Sequence, residues 1–195
     1  MSEYITLSQI NEVVQLIKQR ATVQPRIGII LGSGLGALAE AVNTPQFIPY
    51  TDLPGWPVST VYGHAGRLVL GELMEEPVIV MQGRAHYYEG YPMAQLGLPI
   101  RVMQRLGIEI LIATNAAGAV NPNFEPGDVM LITDHLNLIG MAGLSPLRGP
   151  NLDEFGPRFP DMSQAYDRSL KALAHQAAEE ADLQLREGVY ACLEG

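Results

Sequence analysis

The chain has 195 residues, with 12 Lys+Arg against 21 Asp+Glu and a formal net charge of −9. Hydrophobic residues make up 47% and charged residues 17%, an ordinary globular composition, so residues 1–195 are read as one domain with one core. The acidic balance argues against nonspecific nucleic-acid or membrane-surface binding, because both partners are anionic; a small anion held in a local cationic pocket stays open.

Ile10, Val13, Val14 and Ile17 recur at helical spacing, which predicts an amphipathic helix over about 7–20, closed by Pro25. Ile27–Leu31 reads as a buried strand. Gly32-Ser33-Gly34-Leu35-Gly36 follows it, and Leu35–Val42 reads as a helix. Residues 43–66, rich in Pro and Gly, read as a long loop. Arg67–Leu73 and Pro77–Met81 read as strands joined by a turn at Glu75-Glu76. Met93–Leu106 reads as a helix with Pro99 its weak point, and Ile108–Thr114 and Val129–Thr133 as strands. Residues 139–162 form a loop too long for a mere connection. Ser163 is expected to cap a helix reaching Asp182, and Gly188–Leu193 to start a last strand. Apolar strands alternating with helices indicate an α/β fold with a mixed central β-sheet flanked by helices.

Cys192 is the single cysteine, so no disulfide forms within the chain and a reducing compartment is expected. Met1–Gln15 lacks the basic start and apolar stretch of a signal peptide, and no segment reads as transmembrane. The expectation is a soluble, cytoplasmic protein.

A strand, a glycine-rich turn and a helix in succession make an anion site, because glycine lets backbone N–H groups approach the anion. Ser33 adds a hydroxyl donor. Gly32-x-Gly34-x-x-Ala37 also satisfies a relaxed dinucleotide fingerprint, with Asp52 twenty residues beyond Gly32. A bare tight turn is the third reading. Further on, Gly63-His64-Ala65-Gly66 lies in a loop, and Gln82-Gly83-Arg84-Ala85-His86-Tyr87-Tyr88-Glu89-Gly90 follows an apolar strand. Arg84 and His86 share one side if that segment is extended. The planar Arg fork matches a phosphate, and a dianion favours charged imidazoles. The plainer reading pairs Arg84 with Glu89 or another carboxylate and gives His64 a backbone partner. His135 and His175 have no such company; His175 is expected in solvent. Ile110–Thr114 then runs into Asn115-Ala116-Ala117-Gly118, whose backbone N–H groups are placed to face an anion.

Five motifs together resemble the trimeric purine nucleoside phosphorylases: Gly32–Gly36, Gly63–Gly66, Gly83–Gly90, Thr114–Gly118 and Arg158-Phe159-Pro160-Asp161-Met162-Ser163-x-Ala165-Tyr166-Asp167. They run in order over about residues 5–191. The resemblance implies one nucleoside phosphorylase-like domain and reversible phosphorolysis of inosine- or guanosine-type nucleosides to purine and ribose 1-phosphate. It implies phosphate held by Ser33, His64, Arg84, Ala85, His86 and Ala116, ribose against Tyr88, and Phe159 reaching a neighbouring subunit of a homotrimer. Phosphate is a co-substrate; no cofactor and no metal are implied. Ala85 stands where the family commonly has an aromatic residue.

The family continues past the position of Gly195 into a segment carrying the purine-binding Glu, a further phosphate-binding Ser and a base-binding Asn. The purine-binding residues are therefore expected beyond Gly195, and the C-terminal part of the fold is expected to be missing. Three rivals remain: a methylthioadenosine-type phosphorylase, a dinucleotide-binding oxidoreductase, and an inactive phosphate-binding fragment.

Overall fold

The computed structural model describes residues 4–60 and 65–193. It divides into two compact units, Met1–Ala116 with Ser145–Phe155, and Ala117–Leu144 with Gly156–Gly195.

In the first unit, helix α1 (Leu7–Arg20) starts at Thr6, whose hydroxyl accepts from the Gln9 N–H while the Gln9 side chain accepts from the Thr6 N–H. Five strands follow: β1 (Ile27–Leu31), β2 (Asn43–Pro49), β3 (Arg67–Leu73), β4 (Glu76–Gln82) and β5 (Ile110–Ala113). They form one mixed sheet in the order β2-β3-β4-β1-β5. β4, β1 and β5 run parallel, whereas β2 and β3 are antiparallel to their neighbours.

The middle strands β3, β4 and β1 are buried on both faces, whereas the edge strands β2 and β5 are largely exposed. Ile30, Ile48, Leu68, Leu70, Ile79 and Met81 pack with Ile10, Val13 and Ile17 of α1 and with Val102, Met103 and Leu106 of helix α3 (Leu98–Leu106). On the other face Ile29, Leu31, Val69, Val78 and Val80 meet Ala39 and Val42. Alternation along each strand sends neighbours to opposite cores. The apolar runs of β1 and β4 reflect burial on both sides.

Four local expectations change in this unit. Residues 43–66 contain β2. Its Pro45 and Pro49 hide it in the sequence, but an edge strand tolerates missing N–H donors, and a register irregularity between Asn43 and Gln46 absorbs the mismatch. The segment after the glycine turn is a 3-10 helix, Gly36–Ala41, and no α-helix. The single expected helix over 93–106 is two, α2 (Met93–Leu96) and α3, divided at Gly97, with Pro99 in the first turn of α3 where its absent N–H costs nothing. β3 and β4 join through Met74 and Glu75, both at positive φ (51° and 67°), as a tight hairpin requires.

In the second unit β6 (Val129–Asn137) pairs in parallel with β7 (Leu185–Cys192). Between them lie the short helix α4 (Leu138–Met141) and helix α5 (Arg168–Glu180). Asp167, rather than Ser163, caps α5, because its carboxylate accepts from the N–H groups of Ser169 and Leu170. No helix among the described residues is long and apolar enough to cross a membrane.

Candidate active site

Three parallel strands of the first unit end side by side. Leu31 of β1 pairs with Gln82 of β4, and Ile30 pairs with Ala113 of β5. Each strand end runs straight into one of the sequence motifs, so Ser33, Arg84 and Ala116 all issue from the carboxyl edge of the sheet. Loops at that edge are where α/β proteins gather ligands.

The loops are knitted together. Gly32 N–H donates to Thr114 Oγ1 at 2.9 Å, and that hydroxyl donates to the Ile30 carbonyl at 3.0 Å. A side chain at Gly32 would place its Cβ 2.7 Å from the Thr114 carbonyl oxygen, so this approach needs glycine. Two residues on, Gly34 has φ 85° with open space around it, and the Leu35 N–H closes the turn on the Gly32 carbonyl at 3.2 Å. Ser33 and Ala116 are both exposed.

Arg84 is half-buried and donates Nη1 to the Thr114 carbonyl at 2.5 Å. It does not take Glu89 as its partner in that bond, contrary to the plainer sequence reading. The turn before it is anchored by Tyr50, whose buried hydroxyl donates to the Gly83 carbonyl at 2.7 Å. Burial pushes the Tyr50 phenol up, so it stays a neutral donor. Ala85 and Arg84 line a hollow of about 180 Å³ together with Ile30, Met81, Leu96 and Ile100.

Glu89 is the residue the sequence reading undervalued. Its side chain is 3% exposed. One carboxylate oxygen accepts the His86 N–H at 2.7 Å and faces His86 Nδ1 at 3.0 Å. The other accepts from Thr60 N–H at 2.5 Å and Thr60 Oγ1 at 2.8 Å, with Ser59 Oγ at 3.2 Å. Burial alone would raise this carboxyl, but the hydrogen bonds from Thr60 and His86 outweigh it and hold it at about 2. The carboxylate thus orients the His86 ring through Nδ1. Tyr88 stacks on His86 with ring centroids 4.9 Å apart, and is itself exposed. The spacing of Glu89 three residues after His86 was the available signal; its partners thirty residues upstream were not.

His64 lies outside the described residues. Phe159 belongs to the second unit and is 87% exposed. In that unit His135 meets the Tyr166 hydroxyl, and His175, expected in solvent, pairs with Glu187 at 2.6 Å. Among the described residues no cluster of His, Cys, Asp and Glu is arranged to hold a metal ion. The dinucleotide reading loses its support. Asp52 sits in a 3-10 helix and pairs with Arg20 at 2.6 Å, and β2 is an antiparallel edge strand rather than the parallel neighbour of β1.

The fold and the three joined strand ends define a class: a mixed-sheet α/β protein whose glycine turn, Arg84 turn and Thr114 segment are hydrogen-bonded together at its carboxyl edge. A profile of the phosphorylase superfamily matches residues 26–195. The chain is 54% identical over 181 residues to purine nucleoside phosphorylase 1 of Geobacillus stearothermophilus, covering 93% of this chain and 65% of the relative. It is 46% identical over 199 residues to the purine nucleoside phosphorylase of Bos taurus, covering 100% of this chain and 68% of that one. Its structure resembles isoform 2 of Schistosoma mansoni purine nucleoside phosphorylase, solved with cytosine and ribose 1-phosphate, with a TM-score of 0.93 at 46% identity over 100% of this chain and 69% of that one. A Schistosoma mansoni purine nucleoside phosphorylase solved with inosine gives a TM-score of 0.92 at 42% identity. The chain belongs to the purine nucleoside phosphorylase family of the phosphorylase superfamily. It spans 65% of the length of the Geobacillus relative.

Proposed function

We propose that this chain carries the phosphate side of a site for reversible phosphorolysis of inosine- or guanosine-type purine nucleosides, in purine salvage. The observation that carries the reading is the convergence of the Ser33, Arg84 and Ala116 loops on one sheet edge, joined through Thr114. Ser33, Arg84, His86 and the Ala85 and Ala116 backbone hold phosphate, with His64 as a further donor. Tyr88 lies against the ribose. Phe159 serves a neighbouring subunit's site in a homotrimer. The family profile runs through both compact units, which supports one nucleoside phosphorylase-like domain over 1–195.

The chemistry suits these groups. Phosphate oxygen attacks the anomeric carbon, the glycosidic C–N bond breaks, and its electron pair leaves with the purine. Positive charge grows on the sugar and negative charge on the base. Phosphate is its own nucleophile, so the protein positions it and stabilises charge without an activated Ser or Cys. No cofactor is required by this scheme. The net charge of −9 supports small-molecule partners over nucleic acid or a membrane surface, and one cysteine supports a cytoplasmic setting.

The test is a substrate panel (inosine, guanosine, methylthioadenosine), each with and without orthophosphate, beside calorimetric titration with phosphate. The proposal expects saturable phosphate binding and purine release that depends on phosphate, for inosine or guanosine ahead of methylthioadenosine. Absence of phosphate binding would end it. Preference for methylthioadenosine would reassign the substrate, and phosphate binding without turnover would leave a binding fragment.

A further inference from the structure

We propose that Gln82 is a positioning residue that locks three phosphate-facing segments into one geometry, an inference resting on the phosphate reading above. Gln82 is the last residue of β4, 7% exposed, and its side chain lies on the sheet face shared by Val78, Val80 and Leu31. A buried amide there is costly unless both of its ends are satisfied. Both are. Nε2 donates to the Gly36 carbonyl at 2.9 Å, and Oε1 accepts from Arg67 Nε at 2.7 Å.

Each bond reaches a different segment. Gly36 closes the glycine turn that bears Ser33 and opens the 3-10 helix covering this face. Arg67 opens β3, directly across from Gln82, and its guanidinium lies 4.1 Å over the Phe47 ring. That stacking fixes the donor without consuming its Nε–H. The Gln82 carbonyl accepts the Gly66 N–H at 3.0 Å, so the backbone holds the residue next to the one that the side chain holds. Two residues along the chain stands Arg84. One amide therefore sets the distance between the glycine turn, the 65–67 segment and the Arg84 turn.

Only a group with a donor and an acceptor on one rigid plane does this. Glu keeps the bond from Arg67 but presents a second acceptor to the Gly36 carbonyl. Met keeps the volume and loses both bonds. Lost positioning loosens the cradle without removing any phosphate ligand, and a neutral hydrogen bond corresponds to a few-fold to about tenfold in affinity.

The experiment is calorimetric titration of the 195-residue chain with inorganic phosphate, comparing wild type, Gln82→Met, Gln82→Glu, Arg67→Met, Arg84→Ala and Ile79→Val. Ile79→Val trims the core on the same strand and controls for stability loss. Expected are a fivefold to tenfold weaker phosphate affinity in both Gln82 variants, a smaller loss in Arg67→Met, and an unchanged affinity in Ile79→Val. In amide NMR spectra, Gln82→Glu should shift the Gly34–Gly36 signals while the α1 signals stay put, which a general loss of stability would not do. If Arg84→Ala abolishes binding while the Gln82 variants and Arg67→Met bind as wild type does, the inference falls alone. If the wild-type chain binds no phosphate, the phosphate reading falls and this inference with it.

Discussion

Nη1 of Arg84 lies 2.5 Å from the Thr114 carbonyl oxygen, which ties the turn after β4 to the end of β5 across the end of β1. The guanidinium is thus tied to the main chain at Thr114, which fixes one end of its planar fork. Replacing Arg84 removes a pre-placed cation rather than a mobile surface one. A charge-assisted bond contributes about 1.5–3 kcal/mol, so Arg84→Ala is expected to weaken phosphate affinity at least about tenfold. Arg84→Lys should recover little, because a point charge cannot bond Thr114 and a phosphate in the same plane. Phosphate titration by calorimetry checks both; wild-type affinity in Arg84→Ala would contradict the cradle.

Glu89 makes a pH prediction. Its carboxyl is held at about 2, against an ordinary 4.5. A carboxylate with a depressed folded pKa adds stability that is fully present above the unfolded value. That stability is lost as pH falls from about 4.5 toward 2. Glu89→Gln removes the contribution at neutral pH, a loss on the order of 2 kcal/mol, and should flatten the acid limb of the stability curve. Thermal melts of both proteins between pH 3 and pH 7 measure it. Parallel curves for the two would show that the carboxylate is not charged against Thr60 and His86.

Much of this site is legible in the sequence because strand ends are. Ile27–Leu31, Val78–Met81 and Ile110–Ala113 are apolar runs that stop at Gly or a polar residue; burial on both faces accounts for the first two, while the third keeps Leu111 and Ile112 exposed. Their adjacency is not local information, so the cradle needed the fold to assemble it. β2 was hidden because Pro45 and Pro49 are turn signals everywhere except on an edge. Glu89 looked like a partner for Arg84 by proximity in sequence. Its real partners, Ser59 and Thr60, come from a loop whose path the sequence does not specify.

Ala85 suggests a gain of stability. It borders a hollow of about 180 Å³ lined largely by Ile30, Met81, Leu96 and Ile100, at the position where the resemblance expects an aromatic side chain. Filling a cavity with apolar volume commonly adds about 0.5–2 kcal/mol. Ala85→Phe should raise the melting temperature by a few degrees and leave the Arg84 bond to Thr114 intact. A lowered melting temperature would mean that the hollow cannot take a ring without displacing Leu96 or Ile100.

Asp167 offers a check on the second unit. Its carboxylate accepts from the Ser169 hydroxyl and from the Leu170 and Ser169 N–H groups, and these bonds, the hydroxyl's foremost, hold its carboxyl below the usual aspartate range. Asp167→Ala leaves those donors to water and should cost about 1 kcal/mol. Asp167→Asn, which keeps the acceptor oxygen, should recover most of it. Denaturant midpoints compare the three; equal midpoints would show that the cap does not limit the stability of α5.

Phe159 separates function from folding most cleanly. At 87% exposed it contributes little to its own unit, so Phe159→Ala should shift stability by no more than about 0.5 kcal/mol. A large aromatic side chain left in water is explained if another subunit covers it. The proposal then requires that Phe159→Ala lower phosphate-dependent purine release while the melting temperature and the three-subunit mass in sedimentation stay as in wild type. The deficit should appear in the nucleoside requirement before the phosphate requirement, since Ser33, Arg84 and Ala116, the phosphate ligands under this proposal, belong to the unit that does not contain Phe159. Wild-type turnover from Phe159→Ala would remove the shared site and leave the cradle of a single subunit as the whole of the proposal.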